Sequence, residues 1–242
     1  MLKSDIARSD LRGSTLKSLK FVQNSGVRPH SVTSFIIEEQ PKSPETQAKS
    51  AGRWKIIMTL CFINFFANSA YSSIAPFFPT EAVEKGLPES YLGLIFSGYS
   101  LSMVVFAPVL AKLITKHGQK KILALGCLSE SIAMLTFGVL IYLDDPVAYG
   151  VLCFICRIVE GFGNCCLNSA TSSLICTQYS DNMGNLMGIT QTFTGLGMLA
   201  GPVVGSFLYE LGGFKLPFFV MGSMLFLLVI PICFFVKAGK QL

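Results

Sequence analysis

Asn182-Met183-Gly184-Asn185-Leu186-Met187-Gly188-Ile189-Thr190-Gln191-Thr192-Phe193-Thr194-Gly195-Leu196-Gly197-Met198-Leu199-Ala200-Gly201-Pro202-Val203-Val204-Gly205-Ser206-Phe207-Leu208-Tyr209 runs without one charged side chain. A helix needs about 20 such residues to cross the hydrocarbon of a bilayer. In lipid no water satisfies the backbone, so a stretch of this kind pairs its own N–H and C=O groups as a helix. Gly197, Gly201 and Gly205 recur every four residues and share one face. That face is bare backbone, against which a second helix can close tightly. Pro202 has no N–H and removes one internal hydrogen bond from the run.

Five more apolar runs accompany it. Ile56 to Phe78, Tyr91 to Ala111 and Leu216 to Val236 carry no charge. Ile122 to Leu143 carries Glu130 alone, and Val147 to Gln178 carries Arg157 and Glu160. The expected fold is an all-α membrane protein with six transmembrane helices, its membrane domain spanning 53–238. Composition agrees: 51% of residues are hydrophobic and 14% charged, where soluble domains carry about a quarter charged residues. Residues 1–52 are rich in Ser, Lys, Gln and Pro, with one apolar patch at Phe35-Ile36-Ile37. Such a segment buries too little apolar area to fold alone and is expected to be a disordered cytosolic tail. The first 50 residues lack a continuous apolar core, so no cleavable signal peptide is expected.

The formal charge of +5 is localised. Residues 1–55 hold ten Lys/Arg against five Asp/Glu, and the remainder holds nine of each. That concentration in one tail speaks against nucleic-acid binding. Sixteen Lys/Arg lie in the tail, in the loop after the second run and after the sixth run, whereas only Lys85 and Lys215 lie in the loops of the other side. Cytoplasmic loops collect Lys and Arg, so both termini are expected in the cytosol. All eight cysteines lie in apolar runs and read as small buried residues, the Cys153-x-x-Cys156 spacing included. No catalytic triad, metal cluster or phosphate loop is evident in the sequence, so neither an enzyme nor a cofactor is expected.

Charged and amide side chains at membrane depth are the candidate site. Arg157, Glu160, Asn164 and Asn168 are spaced three, four and four apart and share a helical face. Charges at this depth are rare and usually face a cavity or a partner. Glu130 in the third run is expected as a second partner for Arg157. Asn64, Asn68, Tyr71 and Ser72 form a polar stripe on the first run. Between the second and third runs, Lys116, Gly118 and Lys120 make a tight basic turn.

Three of these features resemble one family. The basic turn from Ala111 to Lys121 resembles the cytosolic signature of the major facilitator superfamily, with Ala111 and Thr115 in place of its first Gly and its Asp. Arg157-Ile158-Val159-Glu160-Gly161-Phe162-Gly163 resembles its intramembrane Arg motif. Gly197-Met198-Leu199-Ala200-Gly201-Pro202-Val203-Val204-Gly205-Ser206 resembles its antiporter signature, Ser206 replacing the last Gly. The chain looks most like the drug:proton antiporter branch, and within it the vesicular amine and polyamine transporter family. Ala75-Pro76-Phe77-Phe78-Pro79 and the segment Phe207 to Phe214 support that.

The resemblance implies one six-helix half, the N-terminal one, of a twelve-helix carrier that works by alternating access. It implies a small organic cation and a proton as partners, a missing C-terminal half or another six-helix half beside it, and a vesicular or other acidic-compartment membrane. Arg157, Glu160, Glu130, Asn64, Asn68 and Asn164 would bind substrate and proton, with Glu160 as the exchanging carboxylate. Lys116, Gly118, Lys120, Gly197, Gly201, Pro202 and Gly205 would govern the conformational change. Ala67 stands where monoamine-carrying relatives have Asp, and the first luminal loop is about a dozen residues long without a glycosylation sequon; both argue against a monoamine carrier. The alternative is a truncated, non-transporting membrane protein that binds or modulates full-length carriers. The charge asymmetry has a direct consequence for topology. A protease added outside sealed right-side-out vesicles should spare a tag placed at Asp5; cleavage of that tag in intact vesicles contradicts the orientation.

Overall fold

Proline and glycine punctuate the apolar runs, and the helices begin and end where they fall. The computed structural model describes residues 44–236, with side chains from Arg53 onward. The described residues form helices α1 (Pro44–Ser73), α2 (Phe78–Glu84), α3 (Glu89–His117), α4 (Gln119–Val139), α5 (Pro146–Gln178), α6 (Met183–Gly212), α7 (Lys215–Leu227) and α8 (Val229–Phe235), with no strand among them. Joined across short breaks, they give six spans long and apolar enough to cross a membrane: 53–84, 89–117, 119–142, 146–178, 180–212 and 215–235. The expected all-α, six-helix architecture is therefore present.

The boundaries depart from expectation in three places. Helical backbone starts at Pro44, inside the stretch read as tail. Proline is at home at a first helical position. The disorder expected for residues 1–43 lies outside the described residues. The first span is not one helix: the chain turns at Ile74–Phe77 between Ser73 and α2, with Pro76 inside the corner and Pro79 in the first turn of α2. The sixth span breaks at Leu228, between α7 and α8. Pro231 has no N–H to return to Leu227, which weakens the helix there.

Two turns set the ends of the central helices. Gly118 joins α3 to α4 at φ 83°, a left-handed conformation that costs glycine little. Asp145 caps α5, its carboxylate accepting from the Val147 and Ala148 amides at 3.3 Å, with Pro146 first in the helix.

Close packing then follows the small residues. Helix α5 lies along both α3 and α4. On one side a Cβ at Gly161 would collide with the Tyr99 carbonyl of α3. On the other a Cβ at Gly163 would sit 3.0 Å from the Glu130 Cβ of α4, and one at Gly126 would sit 2.9 Å from the Gly163 carbonyl. Helix α6 meets α1 in the same manner. Gly197, Gly201 and Gly205 are buried against Phe65, Ser69 and Ser73, and a Cβ at Gly205 would lie 2.6 Å from the Ser73 carbonyl. The Ser72 hydroxyl adds a long hydrogen bond to the Gly197 carbonyl. Aromatic rings knit one end of the bundle: Phe77 stacks on Tyr209 with centroids 5.0 Å apart, and Phe137 on Phe218 at the same distance.

Burial is uneven. The most apolar windows of the first, third and fourth spans are 61%, 56% and 56% buried, against 28%, 17% and 28% for the second, fifth and sixth. The interior is thus built by α1, α4 and α5, while α3, α6 and α7 turn apolar surface outward. Six cysteines are buried as expected, but Cys176 and Cys233 are exposed, which corrects the reading of all eight as interior residues. All eight are free thiols.

The α1–α6 contact leaves no room for a side chain at Gly201. Gly201→Leu should lower the stability of the bundle by about 1–3 kcal/mol or more, the usual cost of overpacking. Leu199→Ala, on the exposed flank of α6, should change it by about 0.5 kcal/mol at most. Unfolding midpoints in detergent compare the two; equal midpoints would place the glycine stripe against lipid.

Candidate functional site

Helix α5 presents Arg157, Glu160 and Asn164 on one face, and the bare backbone at Gly163 lets Glu130 of α4 approach that face. The Arg157 Nη1 donates to Glu160 Oε2 at 2.9 Å. Arg157 is 0% exposed and Glu160 2%. A partner one turn away on the same helix meets the guanidinium without ordering a second element. Glu130 was expected as a second partner for Arg157, but Glu160 alone forms the ion pair among the described residues.

Aromatic faces complete the surroundings of Arg157. Its guanidinium carbon lies 4.9 Å from the ring centroid of Phe96 on α3, 5.7 Å from Tyr71 on α1 and 5.9 Å from Phe137 on α4. The negative faces of such rings attract a cation, more strongly where water is excluded. Several polar atoms of the cluster find no hydrogen bond among the described residues: Arg157 Nε and Nη2, both oxygens of Glu130, Glu160 Oε1 and Asn164 Nδ2. Glu130 is 0% exposed and lies within electrostatic reach of Glu160 and of the Asn164 amide. Tyr99 of α3, stacked on Tyr71 with centroids 4.1 Å apart, neighbours both carboxylates.

The amide stripe of α1 stands elsewhere. Asn64 donates to the Leu60 carbonyl at 2.8 Å and to the Thr171 hydroxyl of α5 at 3.3 Å. Asn68 donates to the Asn64 carbonyl. Asn168 donates to Asn164 Oδ1. Arg157, Glu160, Glu130 and Asn164 therefore gather, while Asn64 and Asn68 bond to their own helix and, through Asn64, to α5.

The basic turn ties helix ends together. Lys120 donates to the Cys233 carbonyl of α8 at 2.7 Å. Beside it, Gln119 donates to the hydroxyls of Ser173 and Thr177 at the end of α5. Arg53 of α1 lies over the Tyr179 ring at 5.0 Å. Lys116 is exposed. Pro202 lies inside α6, one residue after the buried Gly201.

Sequence reasoning did not find the rings of Phe96 and Phe137. Phe137 stands seven residues after Glu130, on the same face of α4, and that spacing was the available signal. Phe96 is brought in by tertiary packing alone. Lys85 was also missed as a structural group: it donates to the Ile141 and Leu143 carbonyls at 2.6 and 2.8 Å, closing the open end of the third span. A cavity of about 350 Å³ lies between the α2–α3 turn and α5, lined by Leu87, Tyr91, Ile95, Val147 and Phe154. It contains none of the charged cluster.

A six-helix membrane bundle with an interior cluster of one guanidinium and two carboxylates has the make-up of half a secondary transporter. Comparison with known proteins gives the family. The chain belongs to the major facilitator superfamily, whose model matches residues 60–241. It is 29% identical over 202 residues to the MFS-type transporter SLC18B1 of Homo sapiens, covering 79% of this chain and 44% of that protein. The same protein of Mus musculus is 32% identical over 177 residues, 73% of this chain and 38% of the relative. The multi-drug resistance efflux pump PmrA of Streptococcus pneumoniae is 28% identical over 193 residues, 78% of this chain and 47% of the pump. The chain thus spans less than half the length of the curated relatives it matches. It is a six-helix half of the superfamily fold, and its family is one of transporters, not enzymes.

Proposed function

We propose that this chain is half of a proton-coupled antiporter for organic cations of amine or polyamine type, working by alternating access in a vesicular or other acidic-compartment membrane with both termini in the cytosol. The observation that carries this is the buried cluster. Glu130 and Glu160 are the carboxylates set deep in the spans, and Arg157, paired to Glu160, supplies the cluster's one positive charge. When all three are ionised, the cluster is one positive charge short. A proton or a monovalent cation each makes up the deficit, and both together overshoot it. Mutual exclusion of that kind is what antiport requires. The aromatic faces of Tyr71, Phe96 and Phe137 suit an organic ammonium as they suit the guanidinium. Similarity to proteins named as a transporter and as multi-drug efflux pumps supports small-molecule transport. A second six-helix half would meet the chain across the outward faces of α3 and α6. Asn64 ties α1 to α5 through Thr171, and Lys120 with Gly118 holds the helix ends during the conformational change.

The exposed residues Val104, Leu199 and Val203, each more than 70% open on α3 and α6, support a second reading. In it the chain pairs with full-length carriers and modulates them without transporting.

Reconstituted together with the six-helix C-terminal half of a full-length relative in vesicles with an acidic lumen, the chain should accumulate labelled spermidine, and nigericin should abolish the uptake by dissipating the proton gradient. Spermidine uptake insensitive to nigericin overturns proton coupling. Zero uptake, with a changed rate in a co-reconstituted full-length relative, supports the second reading.

A further inference from the structure

We propose that Glu130 of α4, not the carboxylate of the α5 ion pair, is the group that carries the exchanged proton and then the substrate cation. The inference rests on the antiport reading and assigns its working residue.

Sequence spacing alone directs attention to Glu160, because it stands beside Arg157 in the Arg motif. The geometry turns that around. Glu160 Oε2 is held by the Arg157 guanidinium at 2.9 Å, and both groups belong to one rigid helix. A carboxylate already neutralised by a fixed cation has little to gain from a second one. Glu130 has no such cation. Its two oxygens are fully buried and find no hydrogen-bond donor among the described residues.

The groups around Glu130 come from every side and leave the deficit standing. Helix α5 offers Glu160, Asn164 and Cys166, of which the first adds negative charge. Helix α3 offers the Tyr99 ring and hydroxyl, and behind it stands Tyr71 of α1. Its own helix offers Cys127. Next to it on α4, Ser131 is committed to the Gly222 carbonyl of α7 at 2.8 Å. Among the described residues no cation pairs with Glu130, and Arg157 is paired with Glu160. An ionised carboxylate is costly to keep away from water without a counter-charge, and a proton or a substrate cation can each supply one.

The exchange balances simply. The Glu130 carboxyl gives up its proton, the resulting carboxylate accepts the ammonium of the incoming cation, and net charge at the site is unchanged. Gly163 and Gly126 fix the geometry: with no side chains between them, the α4 and α5 backbones pack directly at Glu130. The class of ligand is a compact primary ammonium, such as a polyamine end, whose single positive charge matches one carboxylate and whose cation suits the neighbouring aromatic faces.

Difference infrared spectroscopy on the full chain in lipid vesicles reads this directly. The wild type should show a protonated-carboxyl C=O band that is lost as pH is raised, and lost again on adding spermidine at constant pH. The band should be absent in Glu130→Gln and retained in Glu160→Gln. Glu130→Asp, which keeps the acid, should shift the band without removing it. A band lost in Glu160→Gln, kept in Glu130→Gln and unmoved in Glu130→Asp overturns the assignment while leaving antiport standing. A Glu130 band that spermidine does not displace, in vesicles showing no coupled uptake, instead overturns the antiport reading and leaves Glu130 as a proton site only.

Discussion

The Arg157 guanidinium, enclosed at membrane depth and paired to Glu160 over 2.9 Å, constrains the helices around it. A bare cation there is costly, by roughly 2.5–3.5 kcal/mol on insertion scales. Pairing on the same helix removes most of that cost before any tertiary structure forms. The rest is met by rings drawn from three other helices: Tyr71 from α1, Phe96 from α3 and Phe137 from α4. One side chain thereby requires four helices to be in register. Were α1, α3 or α4 to shift by a turn, the guanidinium would lose a ring face and no water would replace it.

Glycine supplies the close approach that this arrangement needs. Gly161 and Gly163 face opposite ways on α5, one against α3 and the other against α4, so the helix carrying the charges is gripped on both sides. In lipid the hydrophobic effect does not press helices together, and backbone contact of this kind does. Gly197, Gly201 and Gly205 do the same for α6 on α1. The same closeness brings Glu130 to the charge cluster and excludes it from the ion pair. Packing and chemistry are here one fact: the residue that has no partner is the one whose helix is pressed hardest against the pair.

Much of this was legible in the sequence, and the limits have physical causes. Chargeless runs reveal spans because lipid tolerates no unpaired backbone, and the Gly-Pro stripe of α6 reveals a contact face because few other sequences serve there. Arg157, Glu160 and Asn164 were legible because a helix fixes its own spacing. Partners from other helices were not. Glu130 reads as a second partner for Arg157 beside Glu160, but among the described residues Glu160 alone forms the pair. Asn64 was legible as a polar group at membrane depth, but its bond across to Thr171 of α5 was not. The first span looked unbroken, since Pro76 and Pro79 sit inside an apolar run whose hydropathy hides the corner. The start of α1 at Pro44 was obscured by polar composition, although Ser-Pro-Glu is a common way to open a helix.

The central claim is that the buried ion pair organises the bundle, and a double-mutant cycle on Arg157 and Glu160 tests it most directly. Unfolding free energies would be measured for Arg157→Met, Glu160→Gln and the double variant in one lipid–detergent mixture. Glu160→Gln should be the worst of the three, with a loss of about 3–5 kcal/mol, because it leaves a buried guanidinium without its counter-charge. The double variant should recover part of that loss, giving a coupling energy of about 0.5–3 kcal/mol. Losses that simply add would contradict the account, since they would mean that the two charges do not depend on each other inside the bundle.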